Sequence, residues 1–139
     1  MKFPKRHWRL LLPALATVAA LAGCAENMPQ PDPSEAWVAL REEPTTTLMA
    51  EEIDGKRLND GRFFEVPAGK HRLEASLYIE GEGDSNGSMC RADLDYDNFK
   101  QGGHYKLVES SLGQNYTVTL YSKSGKELAQ TSSIDCLPG

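Results

Sequence analysis

The nine residues "HRLEASLYI", from His71 to Ile79, decide how this chain folds. Apolar residues occupy every second position, and the residues between them form a second set. The first set is Leu73, Ala75, Leu77 and Ile79, and the second is Arg72, Glu74, Ser76 and Tyr78. Successive side chains of a strand point to opposite sides, so this period of two predicts a β-strand with one buried face.

Seven other segments have a similar pattern and are separated by turn residues. They are "AWVAL" (36–40), "TTTLM" (45–49), "RFFEV" (62–66), "CRADLDY" (90–96), "HYKLVES" (104–110), "YTVTLYS" (116–122) and "KELAQT" (126–131). No segment after the N-terminal region sustains a helical period. We therefore expect an all-β fold, a small antiparallel β-sandwich of about seven to eight strands, forming one domain over residues 36–139. The expected core is Val38, Leu48, Phe64, Val66, Leu73, Leu77, Leu94, Leu107, Val118 and Leu120.

The chain begins with a basic head, followed by the apolar run "LLLPALATVAALA" and the tetrapeptide "LAGC" that ends at Cys24. The run is too short for a permanent membrane span, which needs about 20 apolar residues. Residues 1–23 therefore match a secretory signal peptide. The tetrapeptide resembles the lipobox of bacterial lipoproteins that signal peptidase II processes. That resemblance implies that Cys24 becomes the lipidated N-terminal residue and anchors the protein to a membrane.

Residues 24–35 contain "AENMPQPDPSE", which is rich in proline and lacks apolar periodicity, so we expect a lipidated tether. Ala25 follows the lipobox cysteine, whereas an aspartate there often retains lipoproteins in the inner membrane. The expected location is therefore the outer membrane, with the domain facing the periplasm. The inner membrane and the cell surface are the alternatives.

The net charge of the chain after cleavage limits the classes of partner that it can bind. Cleavage before Cys24 would remove four of the 15 basic residues and none of the 20 acidic ones, leaving a net charge near −9. A chain without a basic cluster cannot neutralise phosphates, so nucleic acid is excluded as a partner. No motif in the sequence calls for a cofactor.

The three cysteines suggest one bridge. With Cys24 assigned to lipid, Cys90 and Cys136 remain as an even pair in an oxidising compartment, and a disulfide between them is expected. A metal site or a redox pair would require a C-x-x-C spacing or flanking histidines, which are lacking.

Two turns carry a further resemblance. The sequence "IDGK" (53–56), followed by "VPAGKHRLEA" (66–75), is similar to the PEGA-type modules of bacterial surface proteins over about 25 residues. The resemblance implies a small β-sandwich in the cell envelope without catalytic activity.

One motif raises the possibility of an enzyme. "GDSNG" (83–87) matches the G-x-S-x-G spelling of a hydrolase nucleophile elbow, and Ser85, Asp93 or Asp95, and His104 follow in the order Ser, Asp, His. An elbow needs a helix after the serine, but the next segment alternates as a strand. The stretch is therefore interpreted as a hairpin loop, and a Ser85-dependent esterase is kept as an alternative.

Two further sets of residues are candidates for binding a metal ion or a partner. Asp93, Asp95 and Asp97 alternate as in a calcium loop, but that loop would have glycine and glutamate where Asn98 and His104 stand, so no metal site is predicted. Tyr78 and Tyr121 lie opposite the apolar sets of their strands and are the candidate binding surface if they are adjacent. The expected function is a non-catalytic accessory or binding module with an envelope protein or glycan as partner. A purely structural spacer is the other alternative.

Overall fold

In the computed structural model, which describes residues 27–83, 86–131 and 134–137, the chain forms β-strands without any helix. The strands are β1 (Ala36–Arg41), β2 (Thr46–Ile53), β3 (Lys56–Arg57), β4 (Phe63–Val66), β5 (Gly69–Ile79), β6 (Ser88–Phe99), β7 (His104–Leu112), β8 (Asn115–Ser122), β9 (Glu127–Gln130) and β10 (Ile134–Leu137). Within these ranges, no helix is long and apolar enough to cross a membrane.

The strands form two five-stranded sheets packed as a β-sandwich, which confirms the predicted fold class. The first sheet has the order β4-β1-β7-β8-β9, and the second has the order β10-β6-β5-β2-β3. All neighbouring strands are antiparallel except β1 and β7, which run parallel from Trp37 opposite His104 to Arg41 opposite Val108. The sequence could not predict this pair, because β1 and β7 are far apart in the chain and alternation within a strand does not identify its neighbour.

The segment from His71 to Ile79 lies in β5, near the middle of the second sheet. It pairs with β6 from His71 opposite Tyr96 to Ile79 opposite Ser88, and on its other side it pairs with β2. Leu73, Ala75 and Leu77 are buried, whereas Tyr78 is exposed. The alternation in the sequence therefore corresponds to the two faces of this strand.

The core lies between the two sheets. All ten predicted core residues are buried, and they pack in one cluster with the side chains of Ala36, Leu40, Phe99 and Tyr105. Fully burying a Val, Leu or Phe side chain contributes about 1.5–3 kcal/mol each. The sandwich is therefore stabilised mainly by this apolar layer.

Two of the ten strands were not predicted. Strand β3 has only two residues, Lys56 and Arg57, which is too short to show a period. Strand β10 follows the same alternation as the others, with Asp135 and Leu137 pointing away from the core, but only four residues carry it. Its position is set by pairing with β6, a tertiary contact that sequence alternation does not report.

The turn between β2 and β3 explains part of the "IDGK" motif. Asp54 and Gly55 connect Ile53 to Lys56 with φ of 51° and 79°, which are the two positive values of a type I′ hairpin turn. The Asp54 carboxylate also accepts hydrogen bonds from the backbone N–H of Arg72 at 2.9 Å and from His71 Nδ1 at 2.5 Å. The two motif turns are thus joined by one side chain.

The last residues of the predicted tether contact the domain. Asp32 N–H donates to Glu65 Oε1 at 3.0 Å, and the Asp32 carboxylate accepts hydrogen bonds from the backbone and the hydroxyl of Ser34. Residues 32–35 therefore form a turn that lies against β4 before β1 begins.

Candidate binding surface

Exposed apolar side chains collect on the outer face of the second sheet. The part of the chain that the structure describes has six large apolar side chains that are exposed, and four of them lie on this face. They are Met49 (37% exposed), Tyr78 (38%), Met89 (43%) and Leu137 (73%). We refer to these four residues as the apolar patch.

Strand register makes the patch continuous. Leu137 lies opposite Met89, and Met89 lies opposite Tyr78, so the three side chains form one row across β10, β6 and β5. Side chains in directly opposed positions are close enough to touch. Met49 extends the row into β2, where it is opposite Ser76, two residues from Tyr78. The patch therefore spans four strands.

The glycine that ends "GDSNG" packs against this patch. A Cβ atom at Gly87 would collide with the Tyr78 hydroxyl and with the carbonyl oxygen of Ile79. Glycine thus lets the segment before β6 pass close to the tyrosine ring and hold it from one side.

The same outer face becomes acidic toward the other end of β5 and β6. Glu51, Glu52, Glu74 and Asp93 lie on neighbouring positions of the three central strands. Arg72 pairs with Asp93 at 3.1 Å and with Asp95 at 3.8 Å, and Arg91 pairs with Asp93 at 4.0 Å. We refer to Glu51, Glu52, Glu74 and Asp93 as the acidic cluster.

The pKa of Glu74, a member of this cluster, is perturbed by its surroundings. Its pKa is raised above the ordinary value, first by partial burial and then by the neighbouring Glu52, Asp93 and Glu51 carboxylates, while Arg91 opposes the shift. Burial and three like charges thus both disfavour the ionised form of Glu74.

A groove of about 330 Å³ joins the two regions. Met89 and Leu137 line its apolar side, and Glu51, Glu74, Arg91 and Asp135 line its charged side. Apolar walls with a few charged groups at defined positions are typical of binding sites. The arrangement can hold a ligand that is apolar at one end and charged at the other.

No protein-family model, curated protein or solved structure matches this chain significantly.

The two tyrosines predicted as a binding surface lie in different sheets. Tyr78 is on β5 in the second sheet, whereas Tyr121 is on β8 in the first sheet and opposite Lys106. Both point away from the core, as their alternation predicts, but the two outer faces lie on opposite sides of the sandwich. The structure thus does not bring Tyr121 next to Tyr78, and the surface around Tyr78 is formed by other residues.

The predicted cysteine pair is present. The Sγ atoms of Cys90 and Cys136 are 2.02 Å apart, and the two residues are directly opposed in the pairing of β6 with β10. Cys90 is buried and Cys136 is exposed at the edge of the sheet. The bridge holds β10 in place, and with it Leu137 of the apolar patch.

Two predicted residues lie outside the described ranges. They are Cys24, the predicted lipidation site, and Ser85, the serine of the esterase alternative. The other residues of that alternative are described and are separated. Asp93 and Asp95 are on the outer face of β6 in the second sheet, whereas His104 begins β7 in the first sheet. The structure therefore does not place either aspartate beside His104.

The aspartates considered for calcium lie along β6. Asp93 pairs with Arg72, and Asp97 lies 3.9 Å from Lys70. Over the described ranges, no group of three or more His, Cys, Asp or Glu residues is arranged to hold a metal ion.

One buried acidic side chain was not anticipated from the sequence. Glu109 on β7 is only 2% exposed, and its Oε2 atom accepts hydrogen bonds from the Thr46 hydroxyl at 2.7 Å and from the Glu43 N–H at 3.1 Å. These bonds connect β7 to the start of β2 and to the turn before it. Glu109 therefore holds one end of the sandwich together.

Sequence reasoning missed three of the four patch residues. Met49 follows the core residue Leu48, and Met89 precedes Cys90, so alternation alone could have placed both methionines on the strand face that points away from the core. It could not have shown that these side chains meet Tyr78, because that depends on the register between strands. Leu137 was missed because β10 itself was missed.

Proposed function

We propose that this protein is a lipid-anchored binding module of the bacterial cell envelope that has no catalytic activity. In this proposal the lipid on Cys24 anchors the chain to the outer membrane, and the β-sandwich faces the periplasm. The sequence features behind the anchor are the basic head, the apolar run and the "LAGC" tetrapeptide. The similarity of two turns to PEGA-type modules also fits a non-catalytic role in the envelope.

The observation that carries the proposal is the apolar patch. Isolated apolar side chains are common on protein surfaces, but a contiguous group with charged residues at its margin is typical of an interaction site. A purely structural spacer does not need an exposed apolar group, because exposed apolar side chains favour association with other surfaces. Partner binding accounts for the position of Tyr78, Met89 and Leu137 in one row.

Co-purification from intact cells tests this proposal. The full-length protein is crosslinked in cells and compared with the double variant Tyr78→Ser, Met89→Ser and with Cys24→Ser, which removes the predicted anchor. We expect an envelope partner that is enriched with the wild type and reduced at least tenfold with the double variant. Cys24→Ser should release the protein from the membrane fraction and also reduce capture.

A matched control uses the other outer face. Tyr121→Ser removes a tyrosine from the first sheet and should leave capture unchanged. Equal capture by the wild type and the double variant would contradict a binding role for the patch. Retention of Cys24→Ser in the membrane fraction would contradict the lipid anchor.

A further inference from the structure

We propose that the outer face of the second sheet binds a protein segment that is apolar at one end and basic at the other. This inference rests on the proposed function and adds the chemistry of the partner. The apolar end would cover Tyr78, Met89 and Leu137. The basic end would lie over Glu51, Glu52, Glu74 and Asp93.

The apolar end follows from exposure and from the groove. All four patch side chains point outward from the same sheet, and each is more than one third exposed. Covering them removes apolar surface from water, which is the main favourable term in most protein associations. Met89 and Leu137 also form one wall of the 330 Å³ groove, which offers a place for an apolar side chain.

The basic end follows from charge complementarity. The outer face has Asp135 beside the patch and the acidic cluster beyond it. Nearby cations include Arg72 and Arg91, which pair with Asp93, and Arg57, which lies opposite Glu52. The pKa of Glu74 is raised first by partial burial, and the Glu52, Asp93 and Glu51 carboxylates add to this shift through their negative field from β2 and β6. A lysine or arginine of the partner would offset this field.

The two ends are a defined distance apart. Met89 and Asp93 are four residues apart on β6, and Tyr78 and Glu74 are four residues apart on β5. A strand rises ~3.3 Å per residue, so the two regions are separated by about 13 Å along the strands. An extended partner segment would therefore have its apolar and basic residues about four positions apart.

Charge argues against two other occupants. A second copy of this chain would bring a surface of the same sign against the acidic cluster, and like charges across an interface oppose binding. An anionic membrane surface would be repelled for the same reason. A protein segment with an apolar end and a basic end fits both the apolar patch and the acidic cluster.

Selection from a random peptide library tests the partner's chemistry. Phage that display random 12-residue peptides are selected on the full chain purified from membranes in detergent. The pool is then depleted on the double variant Tyr78→Ser, Met89→Ser. We expect the remaining peptides to combine apolar residues with Lys or Arg about four positions away.

Synthetic versions of the selected peptides then separate charge from apolar contact. Glu74→Gln with Asp93→Asn should weaken binding about two- to tenfold, because exposed ion pairs each contribute little, and added salt should weaken wild-type binding in the same way. Glu127→Gln, a charge change on β9 of the other sheet, should have no effect. The peptides should not bind the depletion variant.

The outcomes distinguish this inference from the proposed function. If the surviving peptides are apolar but neutral or acidic, the partner chemistry is wrong and the binding surface stands. If depletion on the double variant removes every binder, the patch is not used, and both the inference and the supporting observation for the proposed function fail. Self-association of the purified chain that is lost in the double variant would identify a second copy as the occupant and overturn the inference.

Discussion

At the scale of single residues, a few side chains connect segments that the chain order keeps apart. Asp54 joins two turns through Arg72 and His71, and Glu109 joins β7 to the start of β2. Both act through carboxylate oxygens that accept hydrogen bonds from backbone and side-chain donors. Hydrogen bonds to an ionised acceptor are stronger than those between neutral groups. Asp54, whose pKa is lowered by these bonds, is therefore the residue where a change of charge should alter stability most directly.

Asp54 predicts a pH dependence of stability. The N–H of Arg72, and then His71, hold the pKa of Asp54 below its ordinary value of 3.8. A carboxyl whose pKa is lower in the folded state stabilises the protein above its unfolded pKa. That stabilisation is lost as the pH falls through the folded-state pKa. Asp54→Asn should therefore be less stable than the wild type at pH 7, and the difference should shrink below about pH 4.

Urea unfolding from pH 2 to 7 measures this effect. Asparagine tolerates positive φ, so Asp54→Asn keeps the turn while it removes the charge. Asp97→Asn serves as a control, because Asp97 is exposed and its pair with Lys70 is at 3.9 Å. A constant difference between wild type and Asp54→Asn over the whole pH range would show that the Asp54 charge is not responsible.

At the scale of strands, the alternation of apolar and polar residues predicted most of the strands, but it could not predict which strands pair with each other. Eight strands and all ten core residues were found from the sequence, because a half-buried strand records its faces in its own residues. The parallel pairing of β1 with β7 and the four-residue β10 were not predicted, because both depend on contacts between distant segments. The apolar patch depends on pairing in the same way. Tyr78 was identified from the sequence, but its contact with Met89 and Leu137 depends on the register between strands.

The disulfide should hold β10 and the edge of the patch together. Cys90 and Cys136 are 46 residues apart, and closing such a loop contributes about 4 kcal/mol in the chain-entropy model. The double variant Cys90→Ala, Cys136→Ala should lower the free energy of unfolding by about that amount. Amides of Ile134–Leu137 should lose protection from hydrogen exchange before those of β5 do.

Reduction of the wild-type protein is the matching control. It breaks the bridge without changing the volume of Cys90, so it separates the loss of the crosslink from the loss of buried atoms. If β10 keeps its protection after reduction, pairing with β6 alone holds this strand. In that case the bridge would not be needed to position Leu137.

At the scale of the whole molecule, the two outer faces of the sandwich differ in character. The second sheet carries the apolar patch and the acidic cluster on one surface. On the first sheet, Trp37 and Phe63 stack at 4.2 Å and are each only 9% exposed, so these two aromatic side chains are already covered. We therefore expect binding to be confined to the second sheet.

Site-specific photocrosslinking in intact cells tests whether binding is confined to this sheet. A photoreactive amino acid is placed at Met89 in one version of the full-length protein and at Tyr121 in another. We expect a crosslink from position 89 to an envelope protein, mapped to a segment with apolar and basic residues, and no such crosslink from position 121. The same products from both positions, or no product from position 89, would contradict a binding surface on the second sheet.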